Sequence, residues 1–171
     1  MDISKVALIT IDLQMGVINM CENHIAETTL DNSEKLLNHF NQFNSFTPLI
    51  YVPNNSDELP ENWDKLHPKI YNKNENFLVP KENWGAFHNT GLHEELRKRN
   101  IDTLVLCGIS TAYGVDTTSR EAFQHGYNLI FAIDAMAGFT KEEHDYVKEF
   151  IFPKIGEIMT TSEIIENLNI D

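Results

Sequence analysis

The segment Leu104-Val-Leu-Cys-Gly-Ile-Ser-Thr-Ala-Tyr-Gly-Val115 decides how this chain is expected to fold. It opens as an apolar run without alternation, reverses in a tight turn that starts at Gly108, and continues into a helical pattern from Gly114. A continuous apolar run is typical of a parallel strand that is covered on both faces. The first N–H groups of a helix have no partner within the helix, so this turn is also a candidate anion-binding site.

Strand and helix patterns alternate along the rest of the chain. Short apolar runs predict buried strands at residues 6–11, 48–52, 103–107, 128–133 and 157–160. Helices are predicted at 33–44 with Asp31 and Glu34 as a capping pair, at 90–98, at 114–125 before Gly126, and from a capping box at Thr140–Glu143 to Pro153. This alternation predicts an α/β fold, a three-layer α/β/α sandwich with a mainly parallel, Rossmann-like sheet.

Composition and charge set the class of protein. The 171 residues are 42% hydrophobic and 23% charged, which predicts a single globular domain over residues 1–171. The 26 acidic against 13 basic residues give a net charge of -13, which repels nucleic acid and anionic membrane surfaces. No apolar run has the length of a membrane span, and no signal-like segment opens the chain. We therefore expect a cytoplasmic protein that acts on a small molecule.

Three polar elements follow predicted strands: Asp12, Lys81 and the turn from Gly108 to Gly114. In open parallel sheets ligands bind outside the carboxyl ends of the strands, so we expect the three to converge there. A partly desolvated carboxylate beside a lysine can act as a general acid or base. Taken singly, Asp12 also fits a cap at the end of a strand, and Lys81 an ordinary surface lysine.

Together these elements resemble the isochorismatase-like cysteine hydrolases. The matching segments are Leu8-Ile-Thr-Ile-Asp-Leu-Gln14, Val79-Pro-Lys-Glu-Asn-Trp-Gly-Ala-Phe87, and the strand, turn and helix start at residues 104–115. The resemblance covers nearly the whole chain. It implies a cis peptide bond between Ile109 and Ser110, and backbone amides at Ser110 and Gly114 that bind a substrate oxygen. The catalytic residues so implied are Asp12, Lys81 and Gly114, and the substrate-binding candidates are Gln14, Trp84, Phe87, Ser110 and Tyr113.

Glycine stands at position 114, where the family pattern places its nucleophilic cysteine. The two cysteines of the chain, Cys21 and Cys107, are expected to be structural thiols, since neither has an activating neighbour in the sequence. One branch of the family, the true isochorismatases, carries glycine here. In that branch the aspartate protonates the enol carbon of isochorismate, and water then attacks. The resemblance therefore implies acid-catalysed cleavage of an enol ether such as isochorismate.

The chain departs from that branch at two places. Val17 stands where a phenylalanine is expected, and the segment 53–75 contains no arginine to bind a substrate carboxylate. Lys65 or Lys69 would have to substitute for it, without the bidentate fork of arginine. The segment itself is polar, carries Pro53, Pro60 and Pro68, and predicts a long surface loop of the kind that often forms a lid.

Two other functions stay open at this stage. A relative without a nucleophile can keep its pocket as a small-molecule binding or interaction module, and a relocated thiol would permit amidase chemistry. No metal or other cofactor is expected, because His24, His39 and His67 lack the arrangement that the nicotinamidase branch uses. Asp134 and His144 are interpreted as structural or capping groups. Family members are commonly dimers or tetramers, which implies a homodimer or homotetramer here.

Overall fold

Strands and helices alternate through the part of the chain that the computed structural model describes, residues 2–72 and 76–168. The strands are β1 (Val6–Ile11), β2 (Pro48–Tyr51), β3 (Phe77–Pro80), β4 (Thr103–Ile109), β5 (Asn128–Ala137) and β6 (Glu157–Met159). The α-helices are α1 (Met15–Ile18), α2 (Asn23–Gln42), α3 (Leu92–Lys98), α4 (Asp116–Gln124), α5 (Lys141–Phe150) and α6 (Thr161–Leu168). A π-helical turn, Thr111–Val115, directly precedes α4.

The strands form a parallel sheet in the order β3-β2-β1-β4-β5-β6. This is the doubly wound Rossmann order, as predicted, and its direction of winding reverses between β1 and β4. Ligands of such sheets bind in the crevice at the carboxyl ends of the two strands on either side of the reversal. Both β1 and β4 are buried along their whole length, which explains why their sequences read as continuous apolar runs.

Helices cover both faces of the sheet and divide the core in two. Alternate side chains of a strand point to opposite faces. Leu8 of β1 accordingly packs in one cluster with Leu36 and Phe40 of α2, whereas its neighbour Ile9 packs in the other with Leu92 of α3. All five side chains are fully buried, and each such burial stabilises the fold by about 1.5–3 kcal/mol. None of the helices within the described ranges has the length and apolarity needed to cross a membrane.

The second helix is longer than predicted. It begins at Asn23 rather than Ser33, so Asp31 and Glu34 lie inside it and the predicted capping pair is wrong. Its additional turns bury Ala26 and Leu30. These two apolar residues stand among small and polar ones, so the sequence shows no clear apolar face there. Asp31 is on the outer face of the helix, where it forms an ion pair with Lys69.

The other differences concern the ends of elements. The predicted helix 114–125 is divided between the π-helical turn and α4, while the capping box of Thr140 and Glu143 at the start of α5 is confirmed. β5 runs four residues past its predicted end, to Ala137, after a register shift against β4 between Leu106 and Gly108. β3 and α6 were given no bounds from the sequence. In β3 only Val79 is buried, and the apolar run of residues 77–79 is too short to distinguish a strand from a loop.

Candidate active site

Asp12 is the first residue after β1, at the carboxyl edge of the sheet. Its φ of 51° lies in the left-handed region, which aspartate enters more readily than most residues other than glycine. Its N–H donates to the carbonyl of Ile50 in β2 at 3.0 Å, which fixes the backbone at this point. The residue is 6% exposed. The end of β1 therefore presents a nearly buried carboxyl group at the reversal point of the sheet.

Lys81 forms a buried ion pair with this carboxyl group. Its Nζ lies 2.9 Å from Oδ2 of Asp12, and the lysine side chain is 1% exposed. Nζ also donates to the carbonyl of Asn83 at 3.0 Å. Burial raises the pKa of Asp12 to about 6, although the adjacent Lys81 ammonium and its hydrogen bond act to lower it. A carboxyl group with this pKa can give and take protons near neutral pH, as a general acid or base requires.

The turn after β4 lies directly beside β1. The Ile109–Ser110 peptide bond is cis, as the resemblance implied. Gly108 has a φ of 126°, and a Cβ there would lie 2.1 Å from the carbonyl oxygen of Ile11. Only glycine allows so close an approach of the two strands. The carbonyl of Ser110 accepts hydrogen bonds from the N–H groups of Tyr113 and Val115, each at 3.1 Å. These two N–H groups are therefore already paired, and the amides at Ser110 and Gly114, which the resemblance implied as the oxygen-binding groups, stay a prediction.

Gly114 lies against the acid. A Cβ at this position would be 2.9 Å from Oδ2 of Asp12 and 3.2 Å from Cγ2 of Ile11. The structure thus brings together Asp12, Lys81 and Gly114. Five buried side-chain atoms of the described residues have no hydrogen-bond partner, and two of them, Oδ1 of Asp12 and Oγ of Ser110, belong to this site. Buried polar atoms without partners are rare in folded proteins, and these two are free to bond a ligand.

The loop from Lys81 to Phe87 forms one wall of the site, and α4 holds it in place. The N–H of Ala86 donates to Oγ1 of Thr118 at 3.1 Å, and the N–H of Phe87 donates to Oε2 of Glu121 at 3.0 Å. Neither Thr118 nor Glu121 could be identified from the sequence. Their partners are backbone groups more than thirty residues earlier, and no local sequence pattern indicates such a contact.

An aromatic pair joins this wall to the turn after β4. The indole of Trp84 lies 5.0 Å from the ring of Tyr113 in an edge-to-face arrangement, and Trp84 is 61% exposed. The hydroxyl of Tyr113 donates to Oε1 of Glu143 at 2.9 Å, which fixes the ring from the side of α5. The structure therefore brings Trp84 and Tyr113 together, and their role as a wall of the substrate pocket stays a prediction.

Phe87 and Gln14 are placed differently from the prediction. The ring of Phe87 packs 5.3 Å from His125 and 5.8 Å from Tyr127, next to the amino end of β5, and so belongs to the core. Gln14 is fully buried and bonds backbone: Oε1 accepts from the N–H of Val52 at 2.8 Å, and Nε2 donates to the carbonyl of Val52 at 3.0 Å. Both ends of the amide are used, so Gln14 positions the chain after β2 instead of contacting a substrate.

The segment 53–72 forms the opposite wall. Its backbone pairs with the residues that follow Asp12: Met15 and Gly16 donate to the carbonyls of Lys65 and Trp63, both at 2.8 Å, and His67 donates to Leu13 at 2.9 Å. These bonds fix the segment against the end of β1, so the predicted lid is anchored.

The two lysines considered as substitutes for arginine point elsewhere. Lys65 bonds to Asn62, and Lys69 forms its ion pair with Asp31 on α2. Neither lysine contacts Asp12 or Lys81. The structure therefore gives no support to either as a carboxylate-binding residue.

The remaining candidates have structural roles. Burial raises the pKa of Cys107 to about 12 and that of Cys21 to about 11, so both thiols stay protonated at neutral pH and unsuited to nucleophilic attack. Oδ1 of Asp134 accepts from the N–H of Thr161 at 2.7 Å and caps α6, which confirms its interpretation as a capping group. Nδ1 of His144 lies 2.8 Å from Oγ1 of Thr111, a contact that anchors the π-helical turn. Across residues 2–72 and 76–168, no three potential ligand side chains are grouped to hold a metal ion.

Comparison with known proteins agrees with this geometry. Residues 6–163 match the family model described as the isochorismatase domain. The chain is 39% identical over 184 residues to the isochorismatase family protein YwoC of Bacillus subtilis (strain 168), with 98% of this chain and 96% of that protein covered. It is 34% identical over 180 residues to the isochorismatase family protein YecD of Escherichia coli O157:H7, with 95% of each covered. The structure of an isochorismatase family protein from Burkholderia thailandensis superimposes with a TM-score of 0.89 at 26% identity, covering 98% of this chain and 97% of that one. This chain therefore belongs to the isochorismatase family of hydrolases.

Proposed function

We propose that this protein hydrolyses a small enol ether by acid catalysis, with Asp12 as the proton donor and without a covalent nucleophile. The observation that carries the proposal is the position of Gly114 directly beside the carboxyl group of Asp12. Residue 114 has no atom that can attack a substrate. The adjacent acid has a pKa raised by burial to about 6, which keeps part of it protonated at neutral pH.

The reaction proceeds through protonation of carbon. Protonated Asp12 transfers its proton to the terminal carbon of the enol double bond, and an oxocarbenium ion forms at the carbon that carries the ether oxygen. Water adds to that carbon and releases a proton to the Asp12 carboxylate. The resulting hemiketal breaks down to a carbonyl compound and an alcohol. One water is consumed, and the acid is restored.

Two neighbours of Asp12 support these steps. Lys81 holds Oδ2 at 2.9 Å and so leaves Oδ1, the oxygen without a partner, to carry the proton. The positive charge of the lysine also stabilises the carboxylate that forms once the proton has been given up. The hydroxyl of Ser110 and the backbone at Gly114 are the groups we assign to the ether oxygen of the substrate.

The test is turnover of two enol ethers that differ in size and charge. Wild type is compared with Asp12→Asn for acetaldehyde release from ethylene glycol vinyl ether and for pyruvate release from isochorismate. We expect turnover of at least one compound, and a loss of about 10²–10⁴-fold in the variant, as for removal of a general acid.

Two outcomes would overturn the proposal. Turnover that persists in Asp12→Asn would show that another group supplies the proton. Absence of turnover in wild type, together with equally tight ligand binding by wild type and Asp12→Asn, would instead identify the protein as a small-molecule binding module.

A further inference from the structure

We infer that the substrate of this site is uncharged or cationic, and that a dicarboxylate such as isochorismate is disfavoured. This inference rests on the proposed function and narrows it. It is carried by the charges that line the approach to Lys81 and by the contacts that already engage the nearby cations.

Two clefts lie along the loop that begins at Lys81. One has a volume of about 300 Å³ and reaches Lys81 between Pro53 and Asn89. The other, of about 430 Å³, runs past Trp84 toward Glu121. Both are lined by Glu82, Asn83 and His88, so we treat them as one entrance. Every ligand that approaches Lys81 by this route passes Glu82.

Lys81 is buried and its ammonium group is already engaged. Its side chain is 1% exposed, and Nζ contacts both Oδ2 of Asp12 and the carbonyl of Asn83. A carboxylate of the substrate would have to displace one of these contacts to reach the ammonium. Whenever Asp12 is ionised, the substrate carboxylate would also place a second negative charge beside it, which is unfavourable.

The other basic side chains on the elements around the site are engaged elsewhere. Within the described residues the pairs are Lys65 with Asn62, Lys69 with Asp31, Arg120 with Asp116, and Lys141 with Asp145. A ligand with two carboxylates needs cations that are free to meet it. The described part of the site offers the ammonium of Lys81, which is buried and already bonded to Asp12 and Asn83.

The entrance instead carries features that recognise a cation. Glu82 is exposed in both clefts, and the indole of Trp84 is 61% exposed and fixed at 5.0 Å from Tyr113. An aromatic face beside a carboxylate attracts an ammonium group through both charge and the ring quadrupole. The net charge of -13 favours the same kind of ligand over longer distances.

The buried end of the site completes the description of the substrate. Oδ1 of Asp12 and Oγ of Ser110 are both at least nine-tenths buried and have no partner among the described residues. They suit the reacting double bond and the ether oxygen, neither of which is charged. We therefore place the enol ether at Asp12 and the variable group of the substrate, neutral or cationic, at Glu82 and Trp84.

A series of matched vinyl ethers tests this inference. 2-Aminoethyl vinyl ether is cationic, ethylene glycol vinyl ether is neutral and vinyloxyacetate is anionic, and hydrolysis of each releases acetaldehyde. We expect kcat/KM for the anion to be at least about tenfold below that for the neutral compound, because like charges repel at the entrance. A value for the anion equal to or above that of the neutral compound would overturn the inference.

Substitution of Glu82 identifies the source of the discrimination. Glu82→Gln should reduce the ratio of kcat/KM between the cationic and anionic compounds by about three- to tenfold, as loss of a charge at close range predicts. Glu166→Gln removes the same charge from the exposed face of α6 and serves as the control. Equal effects of the two variants would contradict a local role for Glu82.

A binding measurement separates this inference from the proposed reaction. The indole N–H resonance of Trp84 is followed in Asp12→Asn during titration with 2-ethoxyethylamine, 2-ethoxyethanol and ethoxyacetate, which cannot be hydrolysed by enol protonation. We expect the amine and the alcohol to shift the resonance at lower concentrations than the acid. Weaker binding of the acid together with no acetaldehyde from any vinyl ether would reject the reaction but retain the charge preference. Tightest binding by ethoxyacetate, or no shift with any of the three compounds, would reject the charge preference itself.

Discussion

The two walls of the Asp12 site are held in place by different kinds of bonds. The wall from Lys81 to Phe87 is attached to α4 through the side chains of Thr118 and Glu121. The wall formed by 53–72 is attached to the end of β1 mainly through backbone hydrogen bonds, with Gln14 as its principal side-chain anchor. A wall held by side chains can be loosened by one substitution that leaves the fold intact. A wall held by backbone changes mainly when a residue forces the chains apart or when its anchor at Gln14 is removed.

The largest effect is expected where a side chain would force the backbone-held wall away. A Cβ at Gly16 would lie 2.1 Å from the ring of Trp63, whereas a Cβ at Gly85 would lie 2.2 Å from the flexible end of Glu121. We expect Gly16→Ala to lower the free energy of unfolding by about 3 kcal/mol, the upper range for overpacking. Gly85→Ala should cost less stability and mainly reduce activity, because Glu121 can swing aside. Urea denaturation of both variants decides the comparison, and a more unstable Gly85→Ala would refute it.

The next largest loss of stability is expected from substitution of Gln14, the side-chain anchor of the backbone-held wall. Gln14→Met leaves the N–H and the carbonyl of Val52 without their side-chain partner, and we expect a loss of about 2 kcal/mol in the free energy of unfolding. Gln124→Met, an exposed change on α4, is the matched control and should leave stability nearly unchanged. Limited proteolysis should also cleave 53–72 faster in Gln14→Met. Equal stability and cleavage in the two variants would show that Gln14 is not an anchor.

On the side-chain-held wall the expected loss of stability is smaller. Thr118→Val keeps the shape of the side chain but removes the acceptor for the N–H of Ala86, at a cost of about 1 kcal/mol. Turnover should fall with it, because the loop that carries Lys81 is less well fixed. Thr118→Ser keeps the hydroxyl and should restore turnover. Failure of the serine variant to restore it would show that the methyl group, not the hydrogen bond, holds this wall.

The smallest expected effect is a shift in the pH profile of turnover, by a fraction of a pH unit, when the wall that carries Lys81 is loosened. If Asp12 acts as the acid, turnover falls as the pH rises through about 6, approaching about tenfold per pH unit beyond it. Lys81 lowers the pKa of Asp12, so Thr118→Val, which loosens Lys81, should move the profile to higher pH. Gln14→Met should leave it in place. A profile that rises with pH through this range would indicate that Asp12 works as a base.

The raised pKa of Asp12 also makes the free energy of unfolding depend on pH. The direction is opposite to that of a carboxylate whose pKa is lowered by folding. Because the folded protein binds the Asp12 proton more tightly than the unfolded chain, the contribution of this group is present at low pH. It is lost as the pH rises from the unfolded value, about 3.9 for aspartate, through the folded value of about 6. Replacement by asparagine should therefore remove this part of the pH dependence, which denaturation measured between pH 4 and 7 will detect.

Much of the fold and the centre of the site could be predicted from the sequence. β1 and β4 are recognisable because each is buried on both faces and therefore continuously apolar. Asp12, Lys81 and Gly114 could be brought together because each follows a strand, and parallel strands end at a common edge. β3 could not be bounded, since its apolar run of three residues, with one buried side chain, is too short to distinguish a strand from a loop.

The outer parts of the site depended on contacts that no local pattern contains. The resemblance implied Gln14 as a substrate-binding residue, but the backbone of Val52 engages both ends of its amide. Phe87 looked like part of a pocket, and its ring instead fills the space beside Tyr127. Thr118 and Glu121 were missed for the same reason, because their partners come from distant parts of the chain.

The absence of a side chain at position 114 has a consequence for how such a protein can change over generations. A single-base substitution converts some glycine codons into cysteine codons, so the hydrolytic thiol is close in terms of mutation. Its Cβ would nevertheless lie 2.9 Å from Oδ2 of Asp12, and Lys81 holds that oxygen in place. The carboxyl group would have to shift before the thiol could be accommodated, so the codon change would also disturb the ion pair of Asp12 and Lys81. The packing at Gly114 therefore couples the gain of a thiol to displacement of the acid.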